Sequence, residues 1–133
     1  MRVSIDDIDV MYVVADGGPA GAPAAFAMIE AALGGPRGRR FFATYDGDEY
    51  RACVAIQDGD DPAALGLATG RIPGGEYERS RLSDWQAHTA EIGPTFEAMA
   101  AAHEPDWSRP CIESYRSANE LLLLLPVKSG ASA

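Results

Sequence analysis

The stretch 111–127, CIESYRSANELLLLLPV, restricts the fold more than any other part of the chain. Five consecutive leucines stop at Pro126, which has no N–H to give to a strand ladder. Residues in a strand alternate between faces, so a run of leucines fills both. A strand that is apolar on both faces must be covered on both, which predicts an interior strand over 120–125. Residues 111–116 predict its hairpin partner, with 117–119 as the turn. In that partner Ile112, Ser114 and Arg116 share one face, and Cys111, Glu113 and Tyr115 the other. Two carboxylates, Glu113 and Glu120, therefore lie beside an apolar sheet. Each is either an edge residue in water or a pocket residue.

The preceding chain reads as the same pattern twice. Residues 8–15 predict a strand, and 23–33 an alanine-rich helix with Phe26, Ile29 and Leu33 on one stripe, stopped by Gly34-Gly35-Pro36. Strands over 39–45 and 50–56 flank the turn Asp46-Gly47-Asp48. An acidic linker (57–64) leads to a short strand over 67–72, the turn Pro73-Gly74-Gly75 and an alternating strand over 76–82. Trp85, His88, Ile92, Phe96 and Met99 then follow at helical spacing, interrupted by Gly93-Pro94, which predicts a kink or two short helices. Residues 103–109 read as a loop before the final hairpin. The expected fold class is α+β: two β-α-β-β repeats, about 8–57 and 66–128, related by a pseudo-twofold, with antiparallel sheets and a central ligand cleft. Tyr45 and Tyr115 hold matching places about 70 residues apart, and 129–133 is expected to be a flexible tail.

At 133 residues and 47% apolar content this is one domain with a real core. Residues 1–10 carry three aspartates and no apolar core segment, so neither a signal peptide nor a membrane span is expected, and the location expected is cytoplasmic. Net charge −9 argues against direct nucleic-acid binding and favours a cationic ligand or a basic protein partner. Cys53 and Cys111 lack metal spacing and read as small reduced core residues. His88 reads as a core or boundary histidine on the apolar stripe, and His103 lies near a helix C-terminus, where a cationic ring is favoured. No metal-ligand set, P-loop, nucleotide fingerprint or Gly-x-Ser-x-Gly is present, so no metal or cofactor is expected.

The motifs, taken in order, give a resemblance. Pro73-Gly74-Gly75-Glu76-Tyr77, then Glu113-Ser114-Tyr115, then Leu125-Pro126-Val127 resemble the GyrI-like small-molecule-binding family, with Gly18-Pro19 as the helix entry of the first half. That family also forms the effector domains of multidrug-responsive transcription activators, and the chain resembles its stand-alone members. Two positions depart from the pattern. Ser83-Asp84 precedes Trp85 where a Gly-Pro helix entry is usual, and Leu122 stands where members often carry a pocket glutamate. Glu120, two residues earlier on the same face, is the nearest substitute.

The resemblance implies a ligand groove walled by aromatic side chains, with Tyr115 placed there by the family motif. Candidate ligand-binding residues are Tyr12, Phe42, Tyr77, Arg79, Trp85, Glu113, Tyr115, Glu120 and Leu122. Aromatic walls hold a flat ligand and stabilise a cation through their ring faces. A carboxylate in an apolar groove is costly unless a cation or hydrogen bonds meet it. Arg79 and Arg81 share a strand face; one can pair Glu113 inside the cleft or bind an anionic group, or both can lie in water. Trp107 reads as a rim residue or a packing plug.

The function expected is sequestering or sensing a hydrophobic, aromatic, cationic or zwitterionic small molecule. Two alternatives remain. Some members of the family hydrolyse strained cyclopropane rings in natural products, which would make Glu113 and Tyr115 catalytic. The family name comes from a gyrase inhibitor, which leaves room for a protein partner.

Overall fold

A computed structural model describes residues 1–129; the part of the expected tail from 130 to 133 lies outside the described residues. The strands are β1 (Arg2–Ile5), β2 (Ile8–Val14), β3 (Phe41–Tyr45), β4 (Tyr50–Ala55), β5 (Ala68–Ile72), β6 (Gly75–Ser83), β7 (Cys111–Tyr115) and β8 (Glu120–Pro126). The helices are α1 (Ala22–Leu33), α2 (Pro62–Leu65) and α3 (Ile92–Ala102). The class is α+β. The strands form one antiparallel sheet in the order β1-β6-β8-β7-β3-β4-β2-β5, where separate sheets had been expected. β8 is interior, between β6 and β7, as the leucine run requires.

The connections force the sheet to curl. β1 and β2 stand six strand spacings apart, about 29 Å if flat. Only Asp6 and Asp7 link them, a reach of about 10 Å. β5 and β6 are six spacings apart too, and only Pro73-Gly74 join them. The two links touch: the Gly74 N–H donates to Asp7 Oδ1 at 2.6 Å, and a Cβ on Gly74 would meet the Ile5 carbonyl at 2.6 Å. The result is a half-barrel. Its inside holds Val3, Ile5, Val10, Ile72, Tyr77 and Leu124, drawn from both ends of the strand order.

Both long helices pack on the outside. Ala25 and Ile29 of α1 are buried against Met11, Ala43, Ala52 and Val54. Met99 of α3 is buried against Leu121, Leu123 and Leu125. Each buried leucine contributes about 1.5–3 kcal/mol through its removal from water. Gly34 ends α1 in the left-handed region at φ 76°.

Several expectations are corrected. β1 is a strand the sequence reading did not contain, and the linker 57–64 runs into α2, where Asp61 caps the Ala64 N–H. The stripe 85–99 is not one kinked helix. Two 3-10 turns, Trp85–Ala87 and Thr89–Glu91, precede α3. Pro94 is the third residue of α3, where a missing N–H breaks no helical bond, so Gly93-Pro94 opens the helix. His88 is exposed and does not join the core.

Candidate functional site

Three ladders join the two halves of the chain, β1–β6, β2–β5 and, at the middle of the strand order, β3–β7, in which Ala43 pairs with Glu113. A row crosses the outer face there: Leu123, Glu113, Ala43, Ala52. Leu123 flanks the glutamate on one side, and the two alanines on the other leave room above the row. Tyr50, at the start of β4, and Tyr115, two residues on from Glu113, fill the space above.

Glu113 is 9% exposed. Tyr50 Oη donates to its Oε1 at 2.8 Å, and Tyr115 Oη donates to the same oxygen at 2.5 Å; the hydroxyls are 3.4 Å apart. Neither reaches Oε2. No cationic side chain among the described residues lies within ion-pair distance of this carboxylate. Burial raises the Glu113 pKa above the ordinary carboxylate value, and the two hydroxyl bonds oppose that rise without cancelling it. Burial and the adjacent charge of Glu113 both hold Tyr50 and Tyr115 firmly in the neutral phenol form.

Aromatic rings from both halves close over the triad. The Tyr115 ring makes edge contacts with Phe26 of α1 at 5.3 Å and with Trp85 at 5.0 Å. Phe26 also meets Phe41 at 6.1 Å. Trp85 is tethered by its Nε1–H, which donates to the Ser117 carbonyl at 3.0 Å. Phe26, Trp85 and Tyr115 are all half-buried, so their outer edges reach solvent.

The sheet divides the residues named from the sequence. Glu113, Tyr115 and Trp85 lie together on the outer face. Tyr12, Phe42 and Leu122 face the inside of the curl, and so does Arg79, which pairs in register with Leu124. The expected pairing of Arg79 with Glu113 therefore does not form, because the sheet stands between them. Glu120 shares the inner face with Leu122 and binds Arg81 at 2.6 Å at the hairpin end, so it cannot join Glu113 in one pocket. Tyr77 is fully buried, donates to the Pro73 carbonyl at 2.6 Å and lies under the Arg109 guanidinium at 4.7 Å. Trp107 is 66% exposed and so is not a packing plug, and it lies away from Glu113, beside Arg109 and Pro110. Burial pushes the Cys53 thiol up to about 12 and Cys111 to about 11, which leaves no thiolate nucleophile at neutral pH.

Tyr50 and Phe26 belong to the site and were not among the sequence candidates. Tyr50 directly follows the turn from Tyr45, the residue already matched to Tyr115, and that adjacency was the available signal. Phe26 falls on the apolar stripe of α1, and that spacing alone does not distinguish a core residue from a site residue.

No protein-family model and no curated protein matches the sequence significantly. Solved structures do match it. The integron cassette protein VCH_CASS2 of Vibrio cholerae has a TM-score of 0.69 at 17% identity, over 96% of this chain and 95% of that one. SAV2435, solved bound to tetraphenylphosphonium, has a TM-score of 0.59 at 13% identity, covering 97% and 93%. A hydrolase from Listeria innocua has a TM-score of 0.53 at 14% identity, covering 96% and 90%. At these identities the likeness is one of fold alone.

Proposed function

We propose that this protein binds a hydrophobic, aromatic, cationic small molecule between α1 and α3, with Glu113 as its counter-charge. The observation that carries the reading is the buried Glu113 carboxylate, held by two tyrosine hydroxyls, capped by aromatic rings and facing no cation. A carboxylate so placed is costly when charged, and a ligand cation would offset that cost. The rings of Tyr115, Trp85 and Phe26 would add contact with the ligand's aromatic surface and with its charge. Trp85 and Phe26 come from different halves of the chain and each packs on Tyr115, so in this reading the ligand enters by moving one of them off that ring. That a protein of like fold holds tetraphenylphosphonium supports this choice of ligand class.

In this reading the chain is a GyrI-like domain of two β-α-β-β repeats related by a pseudo-twofold. Exchanging β1 with β5, β2 with β6, β3 with β7 and β4 with β8 reverses the strand order into itself, which supports such a relation with one further strand, β1 or β5, at the start of each repeat. The protein works in the cytoplasm and does not touch nucleic acid, as its acidity favours. No helix among the described residues is long and apolar enough to cross a membrane.

A second reading uses the same residues. A carboxyl whose pKa is raised toward neutrality, beside two phenols, can activate water against a strained or electrophilic ligand. A thermal-shift and tryptophan-fluorescence screen of lipophilic cations and cyclopropane-bearing electrophiles tests both. Saturable stabilisation by intact cations, lost in Glu113→Gln, supports binding; mass-detected water addition lost in the same variant supports hydrolysis. Stabilisation that survives Glu113→Gln would remove Glu113 from both.

A further inference from the structure

The inside of the half-barrel has chemistry opposite to the outer face. A groove of about 750 Å³ opens at one mouth of the curl. Its apolar floor is Phe42, Ile112, Leu122 and Leu124, with Val3 and Ile5 from β1 beside it. Its cationic residues are Arg40, Arg79 and Arg116.

These arginines differ from the others. The chain has ten arginines and one lysine. Arg2, Arg39, Arg51, Arg71, Arg81 and Arg109 each pair with a carboxylate, as does Lys128. Among the described residues only Arg37, Arg40, Arg79 and Arg116 do not. Three of these four line this one groove. In a protein of net charge −9 such a gathering runs against the overall charge.

Position sharpens the point. The β3–β7 ladder ends at Phe41 opposite Tyr115, and Arg40 and Arg116 are the next residue beyond that end on each of the two neighbouring strands. Like charges brought close together on neighbouring strands repel. Arg40 stacks 5.2 Å over the Phe42 ring, and Arg79 Nη2 approaches only the Met1 sulfur at 3.0 Å. The acids lining the groove are Asp6, Asp7 and Asp9, and Glu120, next to Arg116 at the hairpin end, is held by Arg81 at 2.6 Å. Arg71 holds Asp7 at 3.7 Å and Asp9 at 2.9 Å, and Asp7 also accepts the Gly74 N–H. Asp6 alone is left to face three guanidinium groups.

We propose that this groove is a second binding site, on the opposite face of the sheet from Glu113, for an amphipathic organic anion. Its alkyl or aryl body lies on Leu122, Leu124, Ile112 and Phe42. Its carboxylate, phosphate or sulfonate head bridges Arg40, Arg79 and Arg116, which relieves their repulsion. Guanidinium groups suit such heads because they donate in pairs.

The test is titration calorimetry of the full chain with decanoate below its micelle concentration, with decyltrimethylammonium and decanol as cationic and neutral matches. Decyl phosphate and decyl sulfonate resolve the head group. Decanoate should bind, decanol much more weakly, and Arg79→Gln with Arg116→Gln should weaken decanoate by about tenfold or more. Arg116 is exposed and Arg79 half-buried, and unchanged melting curves would show the fold intact. Glu113→Gln should leave decanoate binding unchanged, so this site and the outer one stand or fall separately. No binding of any anion, equal binding in the double-arginine variant, or loss of binding in Glu113→Gln would overturn the proposal. So would sedimentation showing that this face is covered by a second copy of the chain.

Discussion

β7 presents two kinds of chemistry to its two sides. Outward, Cys111, Glu113 and Tyr115 face helices and aromatic rings, with one buried acid and no base. Inward, Ile112 and Ser114 border a groove whose rim is arginine. Glu113 and Ser114 are adjacent in sequence, yet one site would favour a cation and the other an anion. The pleat achieves this at no cost in chain length, because successive side chains point to opposite faces. A strand position therefore says little about a pocket until its face is known, and a shift of one residue would exchange the two sites.

The largest effect expected from breaking this comparison is on stability. Leu123 points outward into the α3 core and is fully buried, whereas Leu122 points inward at the groove and is 9% exposed. Leu123→Ala should cost about 2–5 kcal/mol in urea denaturation, because its cavity cannot collapse. Leu122→Ala, whose gap opens onto the groove, should cost less; the reverse order would mean the faces are misassigned.

Next is ligand binding. Removing the charge in Glu113→Gln should weaken tetraphenylphosphonium by about 30-fold or more, as for one partner of a desolvated charge pair. Arg79→Gln should leave that affinity within about twofold, since a pocket of the other sign on the other face is not in contact. Competition between the two arms would show one site rather than two.

The third effect is on stability against pH. Folding raises the Glu113 pKa above its ordinary 4.5. The fold favours protonated over ionised Glu113, so its contribution is fully present below the unfolded pKa. It is lost as pH rises from about 4.5 through the raised folded value. The difference in unfolding free energy between wild type and Glu113→Gln should therefore widen to the disadvantage of wild type over that window, then level off. The smallest effect belongs to Arg81 and Glu120, a solvent-accessible pair at the hairpin end with Arg81 exposed and Glu120 half-buried. A double-mutant cycle there should give less than about 1 kcal/mol.

How much of this was legible follows the same division between local and distant. The interior place of β8 was legible from five leucines and a proline, because burial on both faces leaves no other position. The outward grouping of Glu113 and Tyr115 followed from alternation within one strand. Tyr50 did not follow. It reaches Glu113 across 63 residues, and only the order β7-β3-β4 brings the two together. The same topology, unreadable locally, separates Arg79 from Glu113. β1 is four residues long and pairs with β6, more than 70 residues away, so its pattern was too short to register. The stripe from Trp85 to Met99 carried a genuine apolar face, but periodicity does not say where the first helical bond forms. Pro94 did: a proline in the first turn marks a beginning as well as it marks a kink.

The most direct measurement is calorimetric titration of tetraphenylphosphonium into wild type and Glu113→Gln across pH 4.5 to 8. A ligand cation favours ionised Glu113, so binding should release protons within the titration window, and wild-type affinity should rise with pH until the carboxyl is fully charged. The variant should bind more weakly and show no such rise. Equal affinities in the two proteins, flat across pH, would contradict the assignment of Glu113 as the counter-charge.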